Sequence, residues 1–288
     1  MDPVFPPELE REIFEIAAWG DRSLIPPLLR VCRRVHQWIE PLLYRVLRIA
    51  NSNSDSDVLR LLAFHSKPAA NFLRHVFMDY NSPLKDRIAD LLSRCNNIVS
   101  LFWDGDLPTE ILPILDTMKI QKMNIWVSDD VTEWPKLTLH RPMLHSVTHL
   151  ELYSSASETE SIAWEEGWAN LASLPALTHL CLTDDLSDIL LDSILEHCSN
   201  LDVVITAFWD PVFVNNAEVF AKKLTTSIND RRVVVIRVSD FRGDWESGAW
   251  GGDDFWTRSE RFVAKKLKGE IESTQYFLDE QLAQSVAL

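Results

Sequence analysis

The sequence holds no apolar run approaching the roughly 18 uncharged residues that a membrane span needs, so no membrane partner is expected. The start, Met1-Asp2-Pro3-Val4, has no basic region followed by an apolar one, and a signal peptide is not expected. The four cysteines (Cys32, Cys95, Cys181, Cys198) lack the close spacing of a zinc site or redox pair. They read as reduced core thiols of a cytoplasmic or nuclear protein. Positive charge is scarce, with 28 Lys and Arg against 43 Asp and Glu, a net charge of −15. That balance argues against a phosphate-backbone ligand, and no nucleic acid partner is expected. There is no glycine-rich phosphate cradle, no Gly-x-Ser-x-Gly elbow and no His-Glu-x-x-His pair. Enzyme activity, cofactor and metal are therefore not expected. His145 and His149 have helical metal-ligand spacing but fall in a predicted strand, where they would stand about 13 Å apart.

What is present begins with an electrically neutral stretch. Residues 1–50 hold seven basic and seven acidic side chains, so the remainder carries the entire excess of acid. In that stretch Leu9, Ile13, Ile16 and Ala17 repeat at helical period, with Pro6 and Pro7 suited to a first turn and Glu8, Glu10 and Glu12 to its positive end. Leu28, Val31/Cys32, Val35 and Trp38/Ile39 predict a second helix, with Pro26 and Pro27 at its first turn or in a break before it. Forty-odd residues of short helices bury little core of their own and need a neighbour.

A repeat follows. The pattern apolar-x-x-apolar-x-apolar occurs at Tyr44-Leu47-Ile49, Leu73-Val76-Met78, Ile98-Leu101-Trp103 and Ile120-Met123-Ile125. It recurs at Val147-Leu150-Leu152, Leu177-Leu180-Leu182, Leu201-Val204-Thr206 and Val233-Ile236-Val238, at spacings of 22 to 32 residues. Helical periodicity lies between, over 56–64, 83–95, 108–116, 163–174, 185–198 and 216–228. Strand and helix in alternation predict parallel strands, and the short spacing predicts an α/β, curved, leucine-rich-repeat-like solenoid. The segment 127–146 reads as an irregular connection and 154–161 as a polar insertion.

Side chains between the core positions of each strand should point to the concave face. They include His75, Phe77, Phe102, Asn124, Trp126, His149, Glu151, Tyr153, His179 and Arg237. This band reads either as a surface for a protein target or as one covered by loops or the carboxy-terminal tail. Half of the eight glycines lie between 240 and 256 with three tryptophans, which predicts a long loop, either a binding loop or a lid over the concave surface. Residues 258–271 read as a closing helix with Phe262, Val263 and Leu267 inward.

Phe5-Pro6-Pro7-Glu8-Leu9, Ile13-Phe14, Leu29-x-Val31-Cys32-Arg33-Arg34 and Pro41-Leu42-Leu43-Tyr44-Arg45 resemble an F-box-like segment. The whole chain is similar to the F-box-like proteins of mushroom-forming fungi, in which such a segment precedes irregular leucine-rich repeats. Asp253-Asp254-Phe255-Trp256 and Lys265-Lys266-x-x-Gly269-Glu270-Ile271 share that likeness. The resemblance implies F-box-like helices over 1–49, a repeat solenoid over 50–240 and a closing segment over 241–288. It implies a non-catalytic substrate receptor of an SCF-type ubiquitin ligase, with a Skp-type adaptor as partner and a protein substrate of unknown identity. The adaptor-facing residues would be Pro6, Pro7, Leu9, Ile13, Leu29, Val31, Cys32 and Trp38. Phe5 stands where the motif usually has Leu, and Pro26-Pro27 interrupt its middle helix. The alternative is a free-standing interaction scaffold whose first helices serve only as a cap.

Overall fold

The computed structural model of the chain describes residues 5–49, 67–79, 85–127, 139–154, 164, 167–183, 185–209 and 216–278. Nine strands form one open sheet, all parallel and in sequence order. They are β1 (Val46–Ile49), β2 (His75–Met78), β3 (Ser100–Trp103), β4 (Lys122–Val127) and β5 (His149–Ser154). β6 (His179–Thr183), β7 (Val203–Phe208), β8 (Val233–Arg237) and β9 (Phe277–Leu278) complete it.

The apolar pattern explains the register. Leu47, Val76, Leu101, Met123, Leu150, Leu180 and Val204 stand side by side across seven strands. Each is nearly or fully buried. The described parts of the seven crossovers from β1 to β8 all pack on that face. Helices Lys85–Arg94, Asp185–His197 and Asn216–Ser227 supply Leu92, Ile194 and Leu224, while the 3-10 turns Pro142–Leu144 and Trp168–Ser173 supply Leu144 and Trp168. Each buried Leu or Ile contributes about 1.5–3 kcal/mol relative to exposure. Parallel neighbours follow because each crossover returns the chain to the same end of the sheet.

Register departs from expectation at β8. Val233, not Ile236, stands opposite Val204, and Ile236 pairs with Ala207. Val233-Val234-Val235-Ile236 is apolar at both parities, so the pattern alone does not choose a face. Val233 and Val235 join the crossover-side core, while Val234, Ile236 and Val238 join a second core on the opposite face. Arg237 consequently leaves the band assigned to it: it lies on the crossover side, over the ring of Phe277 at 5.7 Å.

The opposite face is covered by the chain's own last crossover. The segment expected to be a Gly- and Trp-rich loop is a helix over Phe241–Ala249, followed by a helix over Phe255–Lys268. Asp240 caps the first by accepting from Gly243 N at 3.0 Å, and Asp254 caps the second by accepting from Thr257 N at 2.8 Å. Gly248 accommodates that second cap, since a Cβ there would lie 2.3 Å from an Asp254 oxygen. Phe255, Trp256, Ser259, Phe262, Val263 and Lys266 make the buried stripe of the longer helix. Leu267, expected inward, is 63% exposed because this stripe leans toward Lys266 instead. The helix ends at Gly269 with φ of 72°, a left-handed cap that glycine adopts without a Cβ penalty. β9 then extends the sheet beside β8.

Residues 5–45 form helix Pro7–Gly20, a 3-10 turn Arg22–Leu24, a short helix Ile25–Leu28, helix Arg33–Ile39 and a 3-10 turn Glu40–Tyr44. The single second helix expected from periodicity is thus two. Pro26 and Pro27 occupy a first turn where N–H groups are spare, and Cys32 is extended, which starts a fresh helix at Arg33. The small core of this unit is Ala18, Ile25, Val35, Ile39 and Leu42, with Trp250 from the far end of the chain packed against it. The predicted helix 56–64 lies outside the described residues, as do most of the connection 127–146 and the insertion 154–161 apart from Ser154, which ends β5.

Candidate functional site

Two surfaces concentrate the residues singled out in the sequence. The first is the amino-terminal helical unit. Ala18 and Phe14 turn into its core, which rotates Leu9, Ile13 and Ile16 outward at 47%, 51% and 63% exposure. Val31 is 55% exposed, and Pro6, Pro7 and Cys32 are also exposed. Leu29 and Trp38 are half-buried against the unit's own core, with the Arg34 guanidinium over the Trp38 ring. Six of the eight adaptor-facing candidates are therefore on open surface. Among the described residues, eight of the ten large apolar side chains left exposed lie between Phe5 and Leu43. Exposed apolar side chains are thus concentrated in this stretch.

The unit is also held to the rest of the chain. Trp250 enters its core, and Gly251, at φ of 77°, approaches Trp19 so closely that a Cβ would stand 2.9 Å from the ring. Arg45 lies over the same ring at 4.8 Å. Glu246 takes ion pairs from Arg22 and, at 3.6 Å, from Arg48.

The second surface is the sheet face beneath the two covering helices. Parallel register sorts its side chains into rows. One row runs His75, Ser100, Lys122, His149, His179, Val203. Beside it stand Phe77, Phe102, Asn124, Glu151, Cys181 and Ile205, all buried. Phe77 stacks on Phe102 at 4.7 Å, and Phe241 and Trp245 of the covering helix pack onto them. Of the ten target-facing candidates, Phe77, Phe102, Asn124 and Glu151 are thus occupied by the chain itself.

Burial governs the chemistry of this face. It pushes the Glu151 carboxyl up to about 8, so the side chain is a neutral acid at pH 7. It pushes His75 down to about 3, aided by the nearby Arg45, Lys122 and Arg74 charges. His149 falls to about 3 through burial, the adjacent His179 and Lys122, and His179 is lowered by burial as well. His149 and His179 stack at 4.2 Å and 8°, with the Trp256 ring edge-on at 5.1 Å from His149. Both Nε2 atoms face Glu260 of the covering helix, at 3.5 and 3.4 Å from one carboxylate oxygen. The sequence reading set aside His145 as too far from His149; the register places His149 beside His179, and Glu260 comes from a helix 81 residues further on.

An open part of the face remains at the carboxy-terminal ends of the strands. There a cleft of about 440 Å3 is lined by Phe102, Asp104, Asn124, Trp126, Tyr153, Trp209 and Phe241, with Asp240 and Arg242 at the edge. Trp126 and Tyr153 pack at 4.2 Å, and Trp209 meets Tyr153 and Phe241 at 5.3 and 4.2 Å. Trp209 and Phe241 were not among the expected residues, because they follow a strand and open a helix and so fall outside the repeat. Arg242 reaches across to Asp79 at 2.9 Å and ties the covering helix to β2. Among the described residues no helix is long and apolar enough to cross a membrane. Comparison with family models, curated proteins and solved structures finds no match to this chain.

Proposed function

We propose that the chain is a non-catalytic substrate-recognition adaptor of an SCF-type ubiquitin ligase. In this reading the F-box-like helices bind a Skp-type adaptor protein, and the leucine-rich-repeat-like body holds a protein target. The observation that carries it is the outward apolar face of Leu9, Ile13 and Ile16 on a helix whose inner face is already satisfied, with Val31 exposed in a nearby turn. An amphipathic helix with a free apolar face is a helix-in-groove ligand. The sequential parallel strands with crossovers on one face support the solenoid reading. The aromatic cleft around Trp126, Tyr153 and Trp209 is the part of the predicted concave face left for a target.

The test is co-purification with a Skp-type adaptor. Wild type should be recovered, and Leu9→Asp and Ile13→Asp should reduce recovery at least tenfold while leaving the thermal midpoint within a few degrees. Equal recovery of all three, or none of the wild type, overturns the reading.

A second reading, a repeat scaffold with an amino-terminal cap and no ligase role, is favoured by one observation: Trp250, Gly251 and Glu246 hold the first helices to the body. Deleting residues 1–43 separates the two. The cap reading expects the sheet to unfold, whereas the adaptor reading expects the loss mainly in binding.

A further inference from the structure

We propose that His149, His179 and Glu260 form a binding site for a divalent cation of the zinc type, bridging two strands of the sheet to the covering helix. These three ligand atoms lie within 4.8 Å of one another. Two of the three edges are already close to coordination spacing, and the third, between the stacked imidazoles, would have to close by less than about 1.5 Å. A tetrahedral centre with bonds of about 2.0–2.1 Å to imidazole nitrogen and carboxylate oxygen has ligand–ligand edges of about 3.3 Å. The two measured edges from Glu260, 3.5 Å to His149 and 3.4 Å to His179, already match.

Hydrogen bonding behind the imidazoles fixes their orientation. Each histidine follows a threonine whose hydroxyl sits 2.8 Å from the ring Nδ1. Each hydroxyl also reaches a backbone carbonyl, Gln121 O at 3.1 Å for Thr148 and Thr148 O at 3.3 Å for Thr178. A hydroxyl has one proton to donate, so donating it to the carbonyl leaves its lone pair for Nδ1–H. That tautomer puts a lone pair on both Nε2 atoms, and both point at the carboxylate. Three acceptors facing one another repel unless a proton or a metal cation stands between them. This is the arrangement of metal-ligating histidines whose second nitrogen is held by an outer partner. The neighbouring cation in the row, Lys122, is engaged by Asp254 at 3.2 Å. Two imidazoles and one carboxylate suit Zn2+ better than Mg2+ or Ca2+, which prefer oxygen ligands. The Glu260 side chain is 46% exposed, which gives the ion a route in from solvent.

Occupancy would pin the covering helix to β5 and β6. The test uses the full-length chain, stripped with a chelator and titrated calorimetrically with Zn2+ alone. Wild type should bind one equivalent, with Co2+ in its place giving the visible absorption of a tetrahedral site. Glu260→Gln and His179→Gln should weaken Zn2+ binding at least tenfold and abolish that absorption, while His197→Gln, on an exposed helix end, should bind as wild type does. Saturating Zn2+ should raise the thermal midpoint of wild type and not of Glu260→Gln. Glu260 is half exposed, so its substitution leaves the fold intact and decides the matter even where a histidine variant does not fold. No saturable uptake by wild type, or Glu260→Gln binding with wild-type affinity, overturns the proposal.

Discussion

At the scale of single residues, Lys266 shows how the covering helix is held. Its ammonium is buried, donates to Val233 O at 2.6 Å, and lies over the rings of Phe262 and Tyr276 at 4.9 and 4.6 Å. Burial pushes its pKa down to about 7. An unfolded lysine titrates near 10.4, so between about pH 7 and pH 10.4 the unfolded chain binds more protons than the folded one. The cost of burying this ammonium is therefore full below about pH 7 and shrinks as pH rises toward 10.4, so stability rises across that window. Lys266→Met, similar in volume, should remove this rise, and the difference between wild type and variant should be on the order of a few kcal/mol across the window. Urea midpoints measured from pH 6.5 to 10.5 give the answer; parallel pH profiles would refute the assignment. The sequence offered little sign of this role. Lys265, Lys266 and Lys268 read together as a basic cluster, and only the packing of the helix separates the buried one from its neighbours.

At the scale of elements, the crossovers are held by specific polar pins as well as by apolar packing. Arg232, just before β8, donates to Leu195 O at 2.9 Å and Cys198 O at 3.0 Å, carbonyls at the end of helix Asp185–His197. Asp230 holds the guanidinium at 2.6 Å and keeps it aimed. Arg232→Ala should cost about 2–3 kcal/mol, the range for losing hydrogen bonds to a charged group. It should speed amide hydrogen exchange in 194–201 more than elsewhere, and uniform exchange would refute the local role. Strands β1 to β7 were legible in the sequence because the same spaced apolar positions recur in each at near-regular intervals. β8 was legible as a strand but not in its facing, since all four of Val233 to Ile236 are apolar. The helix Phe241–Ala249 was hidden by its composition: its glycine and tryptophan content reads as loop, yet Asp240 caps it and its tryptophan packs on Phe77. Two of the three ligands of the candidate metal site stood in the sequence as Thr-His pairs in matching repeat positions, though no metal was expected there; Glu260, on a distant helix, carried no such signal.

At the scale of the whole molecule, one connection differs from all the rest. The described parts of the crossovers up to β8 lie on one face of the sheet, while the connection from β8 to β9 passes over the other, and so has the opposite hand. It brings apolar cover to Val203, Ile205, Val234 and Ile236, which the first eight strands leave bare. A chain ending at Ser239 should keep its parallel sheet by circular dichroism but bind a hydrophobic dye strongly and aggregate, as an exposed apolar face does. A soluble, dye-silent truncation would show that the cover is dispensable. The same connection touches both ends of the array. Glu246 and Gly251 engage the first helices, while Lys266 engages β8. Chains built of like units ordinarily gain or lose one without harm to the others, because each touches only its neighbours. Here an added or missing unit would shift one anchorage by about 4.8 Å relative to the other, the spacing of adjacent strands. The number of strands is in that sense measured by a ruler of fixed length, and duplication of a unit is an evolutionary step that this molecule can take only by rebuilding its clasp.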